Sequence, residues 1–431
     1  MKVTVEDINN ALGTDIQFQG SFEISTDTRT IKQGDLYLPL RGANFDGENF
    51  CDKAIKAGAI GCFYTRNKPC DFAIKVEDTL TAYLQISNYI RRKSALKVVG
   101  VTGSSGKTTT KEMIYSVVSQ KFKTHKTFSN HNNEIGFCQT VLGMNKDTEV
   151  LIVEMGMRGL GEIELITKYA EPDIAVITNA GSAHIGRLGS LDNIAKAKCE
   201  ITKSLKDLLI ANDNERLRKF ADFTGEKIFY SIKDVKIIEK RSGYSKFIYK
   251  EDEYELNVEG EYNIENAISA IEVGNKLGMS YEEIKTGLFS YRPIEKRWEC
   301  EKIGEFEIIN DSYNANPESM KASVSTFLEL YKNPVVILGN MGELGENEIE
   351  FHREVGRYLG SKFKQGLFIT VGDLAHYIGE ELSKCGLDVK SFNSNIETSR
   401  YILDNLNAGS TIFLKASRAM KFEEIIEGLK K

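Results

Sequence analysis

No uncharged apolar run in this chain approaches the roughly 20 residues of a membrane span, and its start, MKVTVEDINNALG, has acidic residues where a signal peptide would carry an apolar core. A cytoplasmic protein without a membrane span is expected. Excess basic charge is missing too. Lys+Arg total 56 against 62 Asp+Glu, a formal charge of -6, which leaves no footprint for a phosphate backbone, so nucleic acid is not an expected partner. The cysteines, at 51, 62, 70, 138, 199, 300 and 385, form no C-x-x-C pair and no Cys/His spacing typical of zinc; they read as reduced, buried thiols. Proline is scarce, at 6 residues, and carries no functional reading. There is no short repeat and no low-complexity linker, which argues against solenoids and tethered modules. No heptad seam or long edge strand stands out, so the sequence does not set the oligomeric state; a monomer is the working expectation.

What is present is an ordinary globular mixture, 41% apolar and 27% charged over 431 residues, too long for one core. Residues 1–94 mix short strands with helices, as in ISTDTRTIKQGDLYLPLRG and then ENFCDKAIKAGA. From Ala95, buried-strand runs alternate with amphipathic helices: ALKVVGVTG then KTTTKEMIYSVVSQKF, EVLIVEMGM then EIELITKYA, DIAVITNAG then LDNIAKAKCEITKSL. That alternation predicts a mostly parallel sheet covered on both faces. Residues 234–262 alternate with a period near two and predict antiparallel hairpin strands, followed by the helix NIENAISAIEVGNKLG. Beyond Pro293 the alternation resumes through PVVILGNM, GLFITVG, DVKSF and STIFLKAS, which predicts a second doubly wound domain. The expectation is an α/β protein of three domains, 1–94, 95–292 and 293–431, with a P-loop ATPase-like parallel sheet in the centre and a Rossmann-like C-terminal domain.

The strongest chemical signal is the segment Gly100 to Thr109, GVTGSSGKTT, between a strand of β-branched residues and a helix. Gly103, Ser104, Ser105 and Gly106 let backbone N–H groups turn toward phosphate oxygens, Lys107 reaches the terminal phosphates, and Thr108, followed by Thr109, offers a hydroxyl to magnesium. The spacing departs from the strict Walker pattern, with Val101 where the first glycine would fall and glycine at 103. A nucleoside triphosphate is the expected cofactor. Ligands collect at the C-terminal ends of parallel strands. Glu154 ends one such strand, where a carboxylate can hold the magnesium that bridges the outer phosphates. His184 follows the next strand, and Lys198 lies one helix later. A lone histidine or helix lysine is more often structural; three such groups on successive elements favour a site. A phosphate loop alone does not separate kinase, motor ATPase, GTPase and ligase.

These residues, together with TDTR, GDLYLPLRG, TGSSGKTTTKEM, NHNNEIG, EMGMRGLGEI, AKAKCEI, NDSYNANPESM, GNMGELG and LKASRAM, resemble the Mur ligase family essentially end to end. The segment YNANPESM, and the absence of a DNPR-type motif, resemble the branch that adds D-alanyl-D-alanine to UDP-N-acetylmuramoyl-tripeptide. The resemblance implies ATP-dependent amide ligation through an acyl phosphate, with those two substrates and two magnesium ions. Lys198 would be carbamylated and would hold the second ion with His184, while Thr108 and Glu154 hold the first. Lys107, His184 and Lys198 would be the catalytic set.

The resemblance further implies that Asn263 and Asn266 face adenine, that Arg297 contacts phosphate, and that Asp311, Tyr313 and Asn314 lie near ribose and the incoming dipeptide. Lys415, Ser417 and Arg418 would serve the dipeptide carboxylate. In the N-terminal domain, Asp27, Thr28 and Arg29 would grip the uridine diphosphate, for which an arginine fork suits, and Asn130, Asn132 and Asn133 would form part of the muramoyl-peptide loop. The chain departs from the family at Glu48, Tyr262, Asn340 and Ala416, where histidine, histidine, aspartate and glycine are usual. The sister ligase that adds the third residue, lysine or diaminopimelate, a folylpolyglutamate synthase and a noncatalytic ATP-binding relative are the alternatives. Closure of the last domain on ATP is expected.

Overall fold

The computed structural model describes residues 1–42, 44–294 and 296–430. The central sheet has six strands, all parallel, in the order Glu226–Tyr230, Leu208–Asn212, Ile174–Ile177, Lys97–Thr102, Val150–Glu154, Thr124–Lys126. Its inner strands are apolar on both faces for a visible reason. Val98, Leu151, Val153 and Ile177 point into one core, while Val99, Val101, Ile152 and Val176 point into another. Each such side chain contributes about 1.5–3 kcal/mol relative to exposure, so neither face tolerates water.

The first core is continuous with the N-terminal region, through Leu36, Phe63 and Ile86. That region holds a four-stranded parallel sheet, Ile24–Ser25, Leu36–Tyr37, Gly61–Tyr64 and Ala73–Lys75. The helix Thr79–Lys93, capped by Asp78, lies beside it. The second core is closed by the helices Lys107–Val118, Glu261–Lys276 and Tyr281–Ser290, whose Met113, Ile264, Ile268 and Ile284 are buried. Packed into this second core through Phe247, Tyr249, Tyr254 and Leu256, the strands Val235–Arg241, Tyr244–Tyr249 and Asp252–Leu256 form the expected antiparallel sheet, with an irregularity between Ile237 and Glu239.

The C-terminal sheet is mixed rather than uniformly parallel, in the order Glu299–Ile303, Phe306–Asn310, Thr411–Lys415, Pro334–Gly339, Leu367–Val371, Asp388–Phe392. The outermost strand, Glu299–Ile303, runs antiparallel on a sheet whose other neighbouring strands keep the expected parallel, doubly wound pattern. Its residues are exposed up to Ile303, so its sequence lacks the apolar run by which a buried strand is read. Two expected helices are also modified. ENFCDKAIKAGA opens as a 3-10 turn over Gly47–Phe50 before the short helix Cys51–Lys56, and the helix Leu191–Cys199 tightens into a 3-10 turn, Glu200–Ser204.

Candidate active site

The C-terminal ends of the two large sheets face one cavity of about 930 Å³. The strand Lys97–Thr102 delivers the phosphate loop to it. Gly103 is required there: at φ 152° a Cβ would lie 1.9 Å from Thr178 Oγ1. Gly106, at φ 77°, opens the helix Lys107–Val118 and leaves Asn266 Oδ1 only 2.8 Å from where a Cβ would stand. The Lys107 amine donates to Gly103 O at 2.8 Å, and burial pulls its pKa below the usual lysine range although Glu154 works against that. Thr108 is buried, and its hydroxyl accepts from the Arg297 guanidinium at 3.0 Å.

Two residues that sequence reasoning missed hold this loop. Asn179 Oδ1 accepts from the amides of Ser104 and Ser105 at 3.1 and 2.9 Å, and Thr178 Oγ1 donates to Ser105 O at 2.5 Å. Their position after the strand Ile174–Ile177 was the available signal, since residues that follow a parallel strand face the ligand end.

Glu154 is almost wholly buried at the end of its strand. One carboxylate oxygen accepts from Asn132 Nδ2 at 3.0 Å, and the other has no hydrogen-bond partner. His184, held at φ 66°, pairs through Nδ1 with Glu343, in the loop that follows the strand Pro334–Gly339. Burial lowers its pKa, partly opposed by that carboxylate and reinforced by Lys198 and Lys107. Lys198 has no exposed surface and no hydrogen-bond partner; burial, then the charge of Lys107, drives its pKa well below the ordinary range. Among the described residues no three His, Cys, Asp or Glu side chains converge as a metal cluster. Thr108, Glu154 and His184 line the cavity, whereas the fully buried Lys198 does not. The Glu154 oxygen without a hydrogen-bond partner suits a hard cation, and the Lys111 amine stands 3.4 Å from it.

The C-terminal sheet supplies the opposite wall. The Lys415 amine, nearly buried, donates to Asp311 Oδ2 at 2.5 Å. Tyr313 lies under the Arg297 guanidinium, 4.0 Å from carbon to ring centre. Asn314 lines the same wall, as does Glu318, another residue not foreseen, which accepts from Ser182 N and Oγ at 3.0 and 2.8 Å. On the third side stand Asn130, Asn132 and Asn133, with Arg158 and Glu162 beyond them. Asn133 also caps the helix Glu134–Gly143. Thr109 and Asn266 line the cavity as expected, and Asn266 Oδ1 accepts from Thr110 at 3.1 Å.

Other expected residues lie elsewhere. Asn263 is buried in the first turn of its helix and donates to Glu259 O at 2.6 Å, so it does not line the cavity. Ser417 and Arg418 follow Lys415 but lie outside the lining; the Ser417 amide is taken by Asn340 O at 3.0 Å. Asp27 and Arg29 form a forked ion pair on the N-terminal region, with Arg29 Nη2 at 2.6 Å and 83% exposed, and with Thr28 between them; none of the three reaches this cavity. At the departures, Glu48 accepts from Thr65 N at 3.0 Å, Tyr262 borders the cavity, and Asn340 donates to Asp373 at 2.8 Å. Ala416 is buried.

The Mur ligase middle domain matches residues 101–274 and the Mur ligase glutamate ligase domain matches residues 296–418. The chain is similar to the UDP-N-acetylmuramoyl-tripeptide--D-alanyl-D-alanine ligase of Bacillus subtilis (strain 168), 37% identical, with 94% of this chain and 92% of that protein covered. A protein of the same description from Synechocystis is 34% identical, with 94% and 91% covered. The fold is similar to a crystal structure of MurF from Acinetobacter baumannii, with TM-score 0.92 and 29% identity over 100% of this chain and 99% of that one. It is also similar to MurF ligase from Thermotoga maritima in complex with ADP, with TM-score 0.85 and 26% identity over 95% and 97%.

Proposed function

The chain belongs to the Mur ligase family, and from that premise we propose the reaction it runs: ATP-dependent joining of D-alanyl-D-alanine to UDP-N-acetylmuramoyl-tripeptide, giving the pentapeptide precursor for peptidoglycan. Relatives described by that activity align with this chain over nearly their whole length. The observation that carries the reading is the single cavity in which the phosphate loop, Glu154, the Asn130–Asn133 loop and the Asp311–Lys415 pair meet. A nucleotide, an acyl acceptor and an amine donor can thus share one water-poor space, which is what the chemistry requires.

The tripeptide carboxylate attacks the γ-phosphorus of ATP, the bond from that phosphorus to the β,γ-bridging oxygen breaks, and ADP leaves. The dipeptide amine then adds to the acyl carbon, loses a proton, and inorganic phosphate departs. Lys107 and the amides that open the helix Lys107–Val118 balance charge on the transferred phosphoryl group. Lys415, with Asp311 setting its position, faces the dipeptide carboxylate, and Arg297 spans from Thr108 to Tyr313 across the cleft. Asp27, Thr28 and Arg29 would hold the uridine diphosphate. Adenine recognition would rest on Asn266 rather than on Asn263.

Two magnesium ions belong to the proposal, one held by Thr108 and Glu154 and one by His184 and carbamylated Lys198; they would supply charge neutralisation between two anionic reactants. A buried amine held neutral is the nucleophile that carbon dioxide needs, and Lys198 is such an amine. Placement in the cytoplasm, where ATP and nucleotide-linked sugars are made, is part of the same reading. Among the described residues no helix is long and apolar enough to cross a membrane.

Phosphate release from ATP tests the assignment. It should require UDP-MurNAc-tripeptide with D-alanyl-D-alanine; release only with UDP-MurNAc-dipeptide plus lysine or diaminopimelate would reassign the chain to the sister reaction.

A further inference from the structure

One buried cation in contact with Glu154 has no part in the chemistry above. Lys111 lies one helical turn beyond Lys107, on the same face of the helix Lys107–Val118. Its side chain has no exposed surface, which a lysine tolerates only when its charge is matched. Three groups match it. The amine is 3.4 Å from Glu154 Oε2, the oxygen that has no hydrogen-bond partner. It stands 3.3 Å from Glu112 Oε1, whose other oxygen pairs with Lys126. It also donates to the carbonyl of Ser129 at 3.3 Å.

The third contact matters because Ser129 opens the loop that carries Asn130, Asn132 and Asn133 into the cavity, and because Ser129 itself sits at φ 49°. A serine in that conformation is held by its surroundings rather than by its own preference. The same loop returns to Glu154, since Asn132 Nδ2 donates to Glu154 Oε1 at 3.0 Å and Asn132 O accepts from Gly156 N at 2.7 Å. Glu154 is therefore gripped from both sides, by Lys111 on one oxygen and by the loop on the other, while Lys111 grips the loop.

We propose that Lys111 is a positioning residue that couples the Ser129–Asn133 loop to the Glu154 carboxylate, so that occupancy of the loop by the muramoyl peptide and binding of a divalent cation at Glu154 strengthen each other. This rests on the ligase reading for the identity of the loop's ligand, whereas the mechanical link stands on the geometry alone. Such coupling is reciprocal: whatever factor the peptide gives the cation, the cation gives the peptide.

The test uses the full-length protein with UDP-MurNAc-tripeptide and magnesium as probes. In the wild type, saturating tripeptide should lower the magnesium half-saturation by about fivefold or more, and magnesium should tighten tripeptide binding by the same factor. Lys111→Met should remove the coupling, so that saturating tripeptide no longer shifts the magnesium half-saturation, while ADP affinity in EDTA stays within about twofold. Hydrogen exchange of the ligand-free variant should be faster at the amides of Ser129 to Asn133 and unchanged in the strands of the central sheet. Lys111→Arg, which keeps the charge, serves if the methionine variant folds poorly, and should retain part of the coupling. Unaltered loop exchange in Lys111→Met, loss of ADP affinity in parallel with the coupling, or no coupling in the wild type overturns the proposal. Failure of the wild type to turn over the tripeptide and dipeptide would instead remove the ligase reading, and loop exchange would still judge the link.

Discussion

A lysine amine without exposed surface or hydrogen-bond partner, as at Lys198, persists only if it is neutral or chemically altered, because an unpaired buried charge is costly. Carbamylation resolves that by turning the amine into oxygen ligands. Lys198→Ala should lower turnover by about a thousandfold or more, with partial recovery on adding short-chain carboxylic acids that stand in for the carbamate; a fully active variant would exclude the carbamate. Asn179 acts on the loop rather than on the chemistry. Its side-chain oxygen takes the amides of Ser104 and Ser105, so Asn179→Ala should loosen the loop and weaken ADP binding by about tenfold by calorimetry. Tighter binding would mean that Asn179 competes with phosphate for those amides.

At the level of elements, one carboxylate ties the N-terminal region to the central sheet. Glu171 ends the helix Glu162–Ala170 at φ 46° and meets Arg91 at 2.7 Å, Asn88 at 3.1 Å and Lys206 at 3.3 Å, as well as Arg92. Burial alone would raise its pKa, but the bonds from Arg91, Arg92 and Asn88 prevail and hold it at about 2. A carboxyl depressed on folding stabilises the protein above its unfolded value and ceases to do so as pH falls through the folded one. Glu171→Gln should therefore lose about 1–2 kcal/mol at neutral pH after solvent screening is allowed for. In denaturant titrations the gap to wild type should close between about pH 4.5 and 2; a gap that persists at acid pH would mean that the hub works through packing.

The elements that were legible in sequence share a cause. Val98 to Val101 and Leu151 to Val153 alternate between two apolar cores, so the strand type is written in every residue. The strand Glu299–Ile303 has no such constraint, since its side chains face water until Ile303, and it was not foreseen. The site follows the same rule. Glycines and Lys107 are legible because backbone approach to phosphate demands them, whereas Asn179, Glu318 and Glu343 are polar residues whose roles come from which sheet end they meet across the chain. One helical turn separates Asn263, which donates to Glu259 O, from Asn266, which lines the cavity, a distinction that motif matching does not make.

The whole molecule works only if the C-terminal sheet docks on the phosphate-loop side, and the docking contact is unusually close. Gly186 N donates to Glu343 O at 3.2 Å, and a Cβ on Gly345 would lie 2.5 Å from Gly186 Cα. Glu318 on Ser182 and Glu343 on His184 flank that glycine pair, while Tyr331 reaches across to Glu259 at the far side of the interface. The glycine pair allows no extra atom. Gly345→Ala should hold the C-terminal domain away from the phosphate loop. Backbone strain enters too, since Gly345 sits at φ 70°, and alanine there costs about 1 kcal/mol. Gly386→Ala controls for it, being at φ 83° with nothing within 4 Å of a built Cβ. In small-angle scattering with ADP and magnesium, Gly345→Ala should show a larger radius of gyration than wild type and Gly386→Ala should not. Turnover should fall about a hundredfold in the first variant alone, with UDP-MurNAc-tripeptide affinity within about twofold because the N-terminal and central regions share an undisturbed core. Equal scattering for both variants would place the work of closure in the carboxylate pairs instead of the glycine contact.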